Sequence, residues 1–301
     1  MALVTVTHTT RYRYRKPVGF GEHRMMFRPN ESFDQRIVSN DLVIAPKPAE
    51  LRYVQDVFGN TVGIARFGQA RSDTLTFQST VRLEHRAEPR VRDAGDLIDA
   101  GDRSLPMAYD ADDMPDLLRS IERQHPDPDG VFERWVRRFV RRDGPTNILD
   151  LLSTMTRAIK ADFSYAGRLE GGAQSPLETL HLGAGSCRDF AVLMMEAVRS
   201  LGLAARFVSG YIYSTKGGLR RQRGGHTHAW VRVYLPRCGW VEFDPTNGIV
   251  GSTDLIRVAV ARDPRQASPL SGSWGGEAGE FIGMDVDVQV EVEIDALRQA
   301  G

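Results

Sequence analysis

The sequence has few cysteines, no long apolar run and no excess charge of either sign, and each absence excludes a class of protein. Two cysteines in 301 residues do not make a disulfide framework, so their usage favours a reducing compartment. The N-terminus lacks the apolar core of a secretory signal, and no run approaches the roughly 18 apolar residues of a membrane-spanning helix. We therefore expect a soluble, cytoplasmic protein.

The charge balance excludes two kinds of partner. The 39 basic and 39 acidic side chains cancel, so no global field favours binding to nucleic acid or to an anionic membrane. The hydrophobic and charged fractions, 41% and 26%, are ordinary for a globular protein. The chain is long enough for two domains or one large one, and its function has to be read from local patterns.

The first 88 residues have the hydrophobic pattern of β-strands. In the opening segment, Val4, Val6 and His8 alternate with threonines, which is the period-2 pattern of a half-buried strand. Gly59-Asn60 lies between two apolar runs and predicts a hairpin turn. Further strands are predicted over 37–45, 51–58, 61–67 and 74–85. Short strands separated by turn signals predict an N-terminal antiparallel β-sandwich domain over residues 1–88.

The remaining chain divides into three regions by pattern. Residues 89–145 begin as a charged linker containing Gly and Pro and continue into helical patterns. Residues 146–262 contain helical patterns and then strands. Residues 263–301 predict a Gly- and Ser-rich loop and a closing strand in which valine alternates with charged residues.

A helix is predicted directly after the Gly-Ala-Gly-Ser loop at 183–186. Ser186 and Asp189 have capping-box spacing, which places Cys187 in the first helical turn. Unpaired backbone N–H groups and the positive end of the helix dipole stabilise a thiolate there, and the same groups can bind an oxyanion. A lone cysteine is more often a structural residue, so the decision depends on its partners. The apolar face of this helix consists of Phe190, Leu193, Met194, Ala197, Val198 and Leu201.

The segment from 226 to 248 predicts two strands joined by a turn. The apolar residues have odd numbers on both strands, so burying both sets together fixes the parity of the register. With a loop of about five residues, His228 and Asp244 share the opposite face and lie within one diagonal step. An imidazole there can exchange a proton with a thiol, while a carboxylate on its far nitrogen holds the productive tautomer.

A zinc site is the alternative interpretation of these residues. His226 lies two residues before His228, and a His-x-His pair with Cys187 or Cys238 could bind zinc. However, the sequence contains neither HExxH nor CxxC, and the acidic segment at 125–130 lacks the later glutamate of a calcium loop. We therefore expect no metal and no cofactor, and we expect Cys238 to be incidental.

The chain resembles the transglutaminase-like superfamily, specifically its bacterial members of the cysteine-protease type, in the segments ETLHLGAGSCRDFAVLMMEAVRSLGLAARFVSGYIY and THAWVRVYLPRCGWVEFDPTNG. The HTTRYRY opening and the VFGNTV hairpin look like the β-domain that often precedes this core in bacteria. The resemblance implies an α+β fold with a papain-like catalytic core over residues 146–262, in which a helix bundle packs on an antiparallel sheet. It also implies that Cys187, His228 and Asp244 are the catalytic residues.

The resemblance implies a cysteine-dependent acyl transfer through a thioester acyl-enzyme. The substrate would be a peptide, isopeptide or related amide, and water or a second amine would accept the acyl group. We favour hydrolysis over transamidation because the bacterial relatives look protease-like and no calcium-binding apparatus is visible. The alternatives are a catalytically inactive peptide-binding module on the same fold and a zinc-dependent hydrolase.

Two aromatic residues are further candidates for the site. The resemblance implies an upstream oxyanion donor near DFSYAGRLE, where Tyr165 is the candidate, and packing under the active-site helix is its alternative role. Trp230 is a candidate for lining the cleft, although tryptophan on a strand more often packs in a core.

Overall fold

The computed structural model describes residues 2–86, 104–168, 172–213 and 225–294. The strands in these ranges are β1 (Ala2–Met25), β2 (Gln35–Ala45), β3 (Glu50–Gln55), β4 (Thr61–Arg66), β5 (Arg71–His85), β6 (Ser104–Leu105), β7 (Thr146–Asn147), β8 (Ser164–Tyr165), β9 (Ala184–Gly185), β10 (Ala205–Tyr213), β11 (Gly225–Leu235), β12 (Gly239–Asp244), β13 (Ile249–Val250), β14 (Leu255–Ala261), β15 (Leu270–Gly275) and β16 (Phe281–Ile294). The α-helices are α1 (Met114–Ile121), α2 (Val131–Arg137), α3 (Ile148–Asp162), α4 (Pro176–Leu182) and α5 (Cys187–Ser200).

The N-terminal strands form one antiparallel sheet in the order β2-β5-β1-β4-β3. Strands β15 and β16, from the far end of the chain, also pair with β1, which makes seven strands in total. The predicted closing strand therefore exists, and it completes the N-terminal sheet. Strands of the first and last predicted regions share this sheet. The four predicted regions therefore describe the sequence pattern and do not by themselves mark structural domains. Residues 89–103 of the predicted linker lie outside the described residues.

The core contains a second antiparallel sheet in the order β13-β12-β11-β10-β14. Helix α5 contacts β10 and β11 on one side and helices α2, α3 and α4 on others. It is buried nearly all round, from Asp189 to Arg199, because sheet and helices enclose it. The predicted α+β fold is confirmed, with an N-terminal antiparallel β-domain before a helix bundle packed on an antiparallel sheet. The N-terminal strands, predicted as a β-sandwich, pair in one sheet. In the described ranges, no helix is long and apolar enough to cross a membrane.

An apolar layer joins the two sheets. It is formed by alternating residues of β1, β5 and β16 on one side and of β10 and β14 on the other. The valines of the closing strand β16 pack into this layer. Its buried members are Val4, Val6, Val81, Leu83, Tyr211, Tyr213, Ile256, Val258, Val290 and Val292.

Two side-chain amides from the N-terminal region cover the edge of the core sheet. Strand β14 is an edge strand, so part of its backbone needs partners outside the sheet. Gln35 donates to the Arg257 carbonyl at 2.6 Å and accepts from the Arg257 N–H at 3.1 Å. Asn60 binds Val260 in the same way, donating to its carbonyl at 2.7 Å and accepting from its N–H at 2.9 Å. The residue predicted for the hairpin turn thus also docks the two sheets.

We expect Asn60→Ala to lower the free energy of unfolding by about 2 to 4 kcal/mol, because it leaves the N–H and carbonyl of Val260 buried without this partner. The measurement is urea unfolding followed by circular dichroism. Gln69→Ala removes an exposed amide and should change stability by less than about 0.5 kcal/mol. Equal effects in the two variants would show that Asn60 has no special role at this interface.

Candidate active site

Cys187 is the first residue of α5, and the preceding loop is held in place by short strands. Ser164 and Tyr165 of β8 run parallel to Ala184 and Gly185 of β9. The Cys187 side chain is partly exposed, and its backbone N–H lies in the first turn, where a helix offers no internal acceptor. The sulfur therefore lies at the positive end of a helix, within reach of solvent.

A buried carboxylate, Asp189, ties this loop to the helix. It accepts from the backbone N–H and the hydroxyl of Ser186 at 2.6 and 2.8 Å, which agrees with the predicted capping interaction. Arg168 Nη2 lies 2.7 and 2.8 Å from its two oxygens, and the Gln174 N–H donates at 2.7 Å. Burial alone would raise the pKa of Asp189, but these donors lower it. A side chain at Gly185 would overlap the Asp189 Cβ, so this loop position requires glycine.

Strands β11 and β12 bring His228 and Asp244 together on one face of the sheet. The register pairs Val231 with Phe243, both buried, so the predicted parity is present. Asp244 follows Phe243 and lies one diagonal step from His228. The distance from His228 Nε2 to Asp244 Oδ2 is 2.8 Å. The connecting loop, residues 236–238, is shorter than the loop of about five residues that we expected.

Asp244 is fully buried and has a donor on each oxygen. Besides the imidazole, Oδ2 accepts from Asn247 Nδ2 at 2.8 Å, and Oδ1 accepts from the Thr246 and Asn247 backbone N–H groups at 2.9 and 3.2 Å. Burial would raise the pKa of this carboxyl, but His228 and Asn247 outweigh burial and lower it. Asp244 therefore stays ionised. The sequence interpretation missed Asn247, and its place three residues after Asp244, in a turn that also contains Pro245, was the available signal.

His228 is buried, and its protonation depends on its two neighbours. Burial lowers the pKa of the imidazole, but the Asp244 carboxylate and the Cys187 sulfur, to which the ring is also hydrogen-bonded, raise it from 6.5 to about 10. Because Nε2 contacts Asp244, Nδ1 is the ring nitrogen left for the sulfur. A protonated imidazole at this position stabilises negative charge on the sulfur.

Residues 134–245 match the transglutaminase-like superfamily core, and residues 4–84 match the bacterial transglutaminase-like N-terminal region. The chain belongs to the transglutaminase-like superfamily. The family predicted from the two sequence segments is therefore confirmed, together with its N-terminal region.

Proteins similar to this superfamily member occur in bacteria. An uncharacterized protein of Mycobacterium tuberculosis is 29% identical over 97% of this chain and 94% of its own length. One of Mycobacterium leprae is 27% identical over 95% of this chain and 97% of its own length. A protein-glutamine gamma-glutamyltransferase of Pseudomonas aeruginosa is 34% identical, but over only 21% of this chain and 10% of that protein.

The fold is also found in a solved structure. The match to the crystal structure of "a Putative Cysteine Protease from Cytophaga hutchinsonii" has a TM-score of 0.70 and covers 96% of this chain and 90% of that chain. At 18% sequence identity, the likeness concerns the fold.

The two aromatic candidates of this transglutaminase-like chain lie in different environments. Tyr165 is exposed beside the start of α5, and its hydroxyl is hydrogen-bonded to Cys187. Burial of the hydroxyl and the nearby sulfur raise the pKa of Tyr165, so the hydroxyl remains a donor. Trp230 is fully buried behind the His228 ring, with ring centroids 5.9 Å apart, so of its two candidate roles it has the packing role and does not line an open cleft.

The residues considered for a zinc site do not form a ligand cluster within the described part of the chain. His226 is exposed, whereas His228 is buried against Asp244. Within the described ranges, no group of three His, Cys, Asp or Glu side chains could hold a metal ion. Cys238 lies in the turn between β11 and β12, packed against the core.

We expect Asp244→Asn to lower the pKa of His228, because the carboxylate is the largest influence that opposes burial. The imidazole titration can be followed by NMR on histidine-labelled protein, with the exposed Asp150→Asn as a control that leaves it unchanged. Because the folded state raises this pKa, the stabilisation it provides is complete below pH 6.5 and is lost as the pH rises through about 10. An unchanged titration in Asp244→Asn would contradict the assigned cause.

Proposed function

We propose that this chain is a cysteine-dependent acyl-transfer enzyme that acts on amide bonds, with Cys187 as nucleophile, His228 as acid and base, and Asp244 as orienting residue. The observation that carries the proposal is the convergence of three side chains from three elements. A partly exposed sulfur at a helix start contacts an imidazole whose other nitrogen lies 2.8 Å from a buried carboxylate. That order of contacts is the requirement for an activated thiol nucleophile.

In the first half-reaction, the Cys187 sulfur attacks the amide carbonyl carbon and forms a C–S bond. The carbonyl oxygen takes up negative charge in the tetrahedral intermediate. His228 then gives its proton to the amide nitrogen, the C–N bond breaks, and the amine leaves. The products are a neutral imidazole, a free amine and a thioester on Cys187.

The oxyanion requires donors near the sulfur. The backbone N–H of Cys187 lies in the first turn of α5, and the Tyr165 hydroxyl is hydrogen-bonded to the same side chain. Both donors therefore lie beside the carbon that the sulfur would attack. We propose that they share the oxyanion, with Tyr165 as the second donor.

In the second half-reaction, His228 takes a proton from water or from an amine, which attacks the thioester and releases the acyl group. We propose hydrolysis as the main outcome, since the partly exposed thiol lets water reach a thioester without a second binding site. The similarity to a protein-glutamine gamma-glutamyltransferase supports acyl transfer from an amide and makes an amine the alternative acceptor. The proposed substrate is a peptide or protein amide.

We expect Cys187→Ala to lose the amide-cleaving activity by about 10⁴-fold or more, because removing a nucleophile disables the whole constellation. The experiment incubates the protein with a library of peptide and isopeptide amides and a labelled primary amine. Mass spectrometry then identifies the cleaved products and the amine adducts. Cys238→Ala is the matched control, because it removes the other thiol of the chain, and it should keep the activity.

Two results would contradict this proposal. One is activity that persists in Cys187→Ala. The other is one tightly held zinc ion per purified chain together with loss of activity on chelation, which would favour a zinc hydrolase. If amine adducts exceed the cleaved acid, the assignment of Cys187 as nucleophile is kept, but transamidation and not hydrolysis is the main reaction.

A further inference from the structure

A second diagonal pair lies beside the His228–Asp244 pair on the same face of β11 and β12. Trp230 follows His228 by two residues, and Glu242 precedes Asp244 by two, so both pairs have the same offset in the register. Trp230 Nε1–H donates to Glu242 Oε2. The hairpin thus repeats one geometry, first with a histidine and a carboxylate and then with a tryptophan and a carboxylate.

Trp230 forms the back wall of the His228 ring. The two rings are stacked, with an interplanar angle of 25° and both side chains buried. On the neighbouring strand, Gly210 pairs with His228, and a Cβ there would overlap the Ile256 carbonyl and the Trp230 ring. Glycine at 210 therefore leaves the space that the indole occupies. The imidazole plane depends on where the indole is held.

Glu242 is a buried carboxylate held by two arginines. Its exposed fraction is 2%, and Oε1 lies 2.8 Å from Arg257 Nη1 and 3.0 Å from Arg232 Nε. A buried carboxylate keeps its charge only when such partners offset its desolvation. With one oxygen on the arginines and the other on Trp230, Glu242 fixes the indole relative to β14.

Arg257 continues the network into the N-terminal region. Its Nη2 lies 2.8 Å from Asp34 Oδ1 and donates to Ser32 Oγ at 2.7 Å. Burial would lower the pKa of Arg257, but Glu242 and Asp34 outweigh it and raise that pKa. Burial would raise the pKa of Asp34, but Arg257 and its other donors lower it. Both groups remain charged, so a buried guanidinium lies between one carboxylate from each part of the molecule.

We propose that Glu242 is a positioning residue for His228, acting through Trp230, and that the N-terminal region supports it through the Asp34–Arg257 ion pair. The network rests on the function proposed above for Cys187 and His228. It gives the N-terminal sheet a part in the reaction: the loop before β2 supplies Asp34, which anchors the arginine that holds Glu242. None of these residues except His228 touches the reacting atoms.

Loss of the network should change the thiol chemistry and not only the stability. The titratable groups that influence His228 directly are Asp244 on β12 and Cys187 on α5. If the indole shifts, the imidazole moves relative to both groups, and the imidazolium stabilises a thiolate less well. Alkylation of Cys187 by iodoacetamide, measured across pH in the Cys238→Ala background, reports this directly and needs no substrate.

We expect Glu242→Gln to slow alkylation of Cys187 at neutral pH by about tenfold or more, since small displacements of a catalytic group have effects of this order. The NMR-detected pKa of His228 should fall in the same variant. Trp230→Phe keeps the stacked ring but removes the Nε1–H, so it should give the same change and carries the test if Glu242→Gln does not fold. Asp34→Asn should give a smaller decrease of the same kind.

The matched control is Glu196→Gln, which breaks an equally buried ion pair. Glu196 lies on α5 and its Oε1 is 3.1 Å from Arg199 Nη1, with both side chains inaccessible to solvent. It should lower stability but leave the alkylation profile unchanged. The network would be refuted by wild-type alkylation in Glu242→Gln or Trp230→Phe, or by an equal slowing in Glu196→Gln. A wild-type Cys187 that reacts no faster than Cys238 would instead contradict the proposed function.

Discussion

The pairing of β11 with β12 is the constraint on which the site depends. The register that buries Val231 and Phe243 also turns His228 and Asp244 to the opposite face, one diagonal step apart. A slip of one residue would turn the polar set toward the apolar core that Val231 and Phe243 now fill, and would move these apolar residues to the face of the polar network. Hydrophobic burial on one face therefore enforces a hydrogen bond on the other, and the geometry of the candidate site is maintained by the same free energy that folds the sheet.

The thiol reaches this pair because a buried helix begins at Cys187. Helix α5 can be enclosed almost completely because its polar start is satisfied locally, by Asp189 and the donors that surround it. Burial raises the pKa of both carboxyls of the site, and hydrogen-bond partners reverse this effect: the Gln174 and Ser186 N–H groups together with Arg168 for Asp189, and His228 with Asn247 for Asp244. The site thus consists of one partly exposed sulfur surrounded by buried charged groups, each of which has hydrogen-bond or ion-pair partners.

Much of this arrangement was predictable from local sequence, and the remainder depends on contacts between distant segments. The parity of apolar residues predicted the diagonal between His228 and Asp244, and the capping spacing predicted the place of Cys187 at a helix start. The contacts of Trp230 with His228 and Glu242 were not predicted, because a strand pattern does not show which side chains pack together on its polar face. The pairing of β16 with β1 and the contact of Arg168 with Asp189 join segments that no local periodicity connects.

The shared sheet has a consequence for folding during synthesis of the chain on the ribosome. Residue 2 pairs with residue 294, so β1 leaves the ribosome long before its neighbour β16 has been synthesised. During that interval one edge of the nascent β1 has unpaired backbone N–H and C=O groups. Such an edge can pair with a strand of another molecule and so promote aggregation. In β16, charged residues alternate with the valines, and such charges disfavour pairing between strands of different molecules. The order of synthesis thus delays completion of this side of the sheet until β16 has been made.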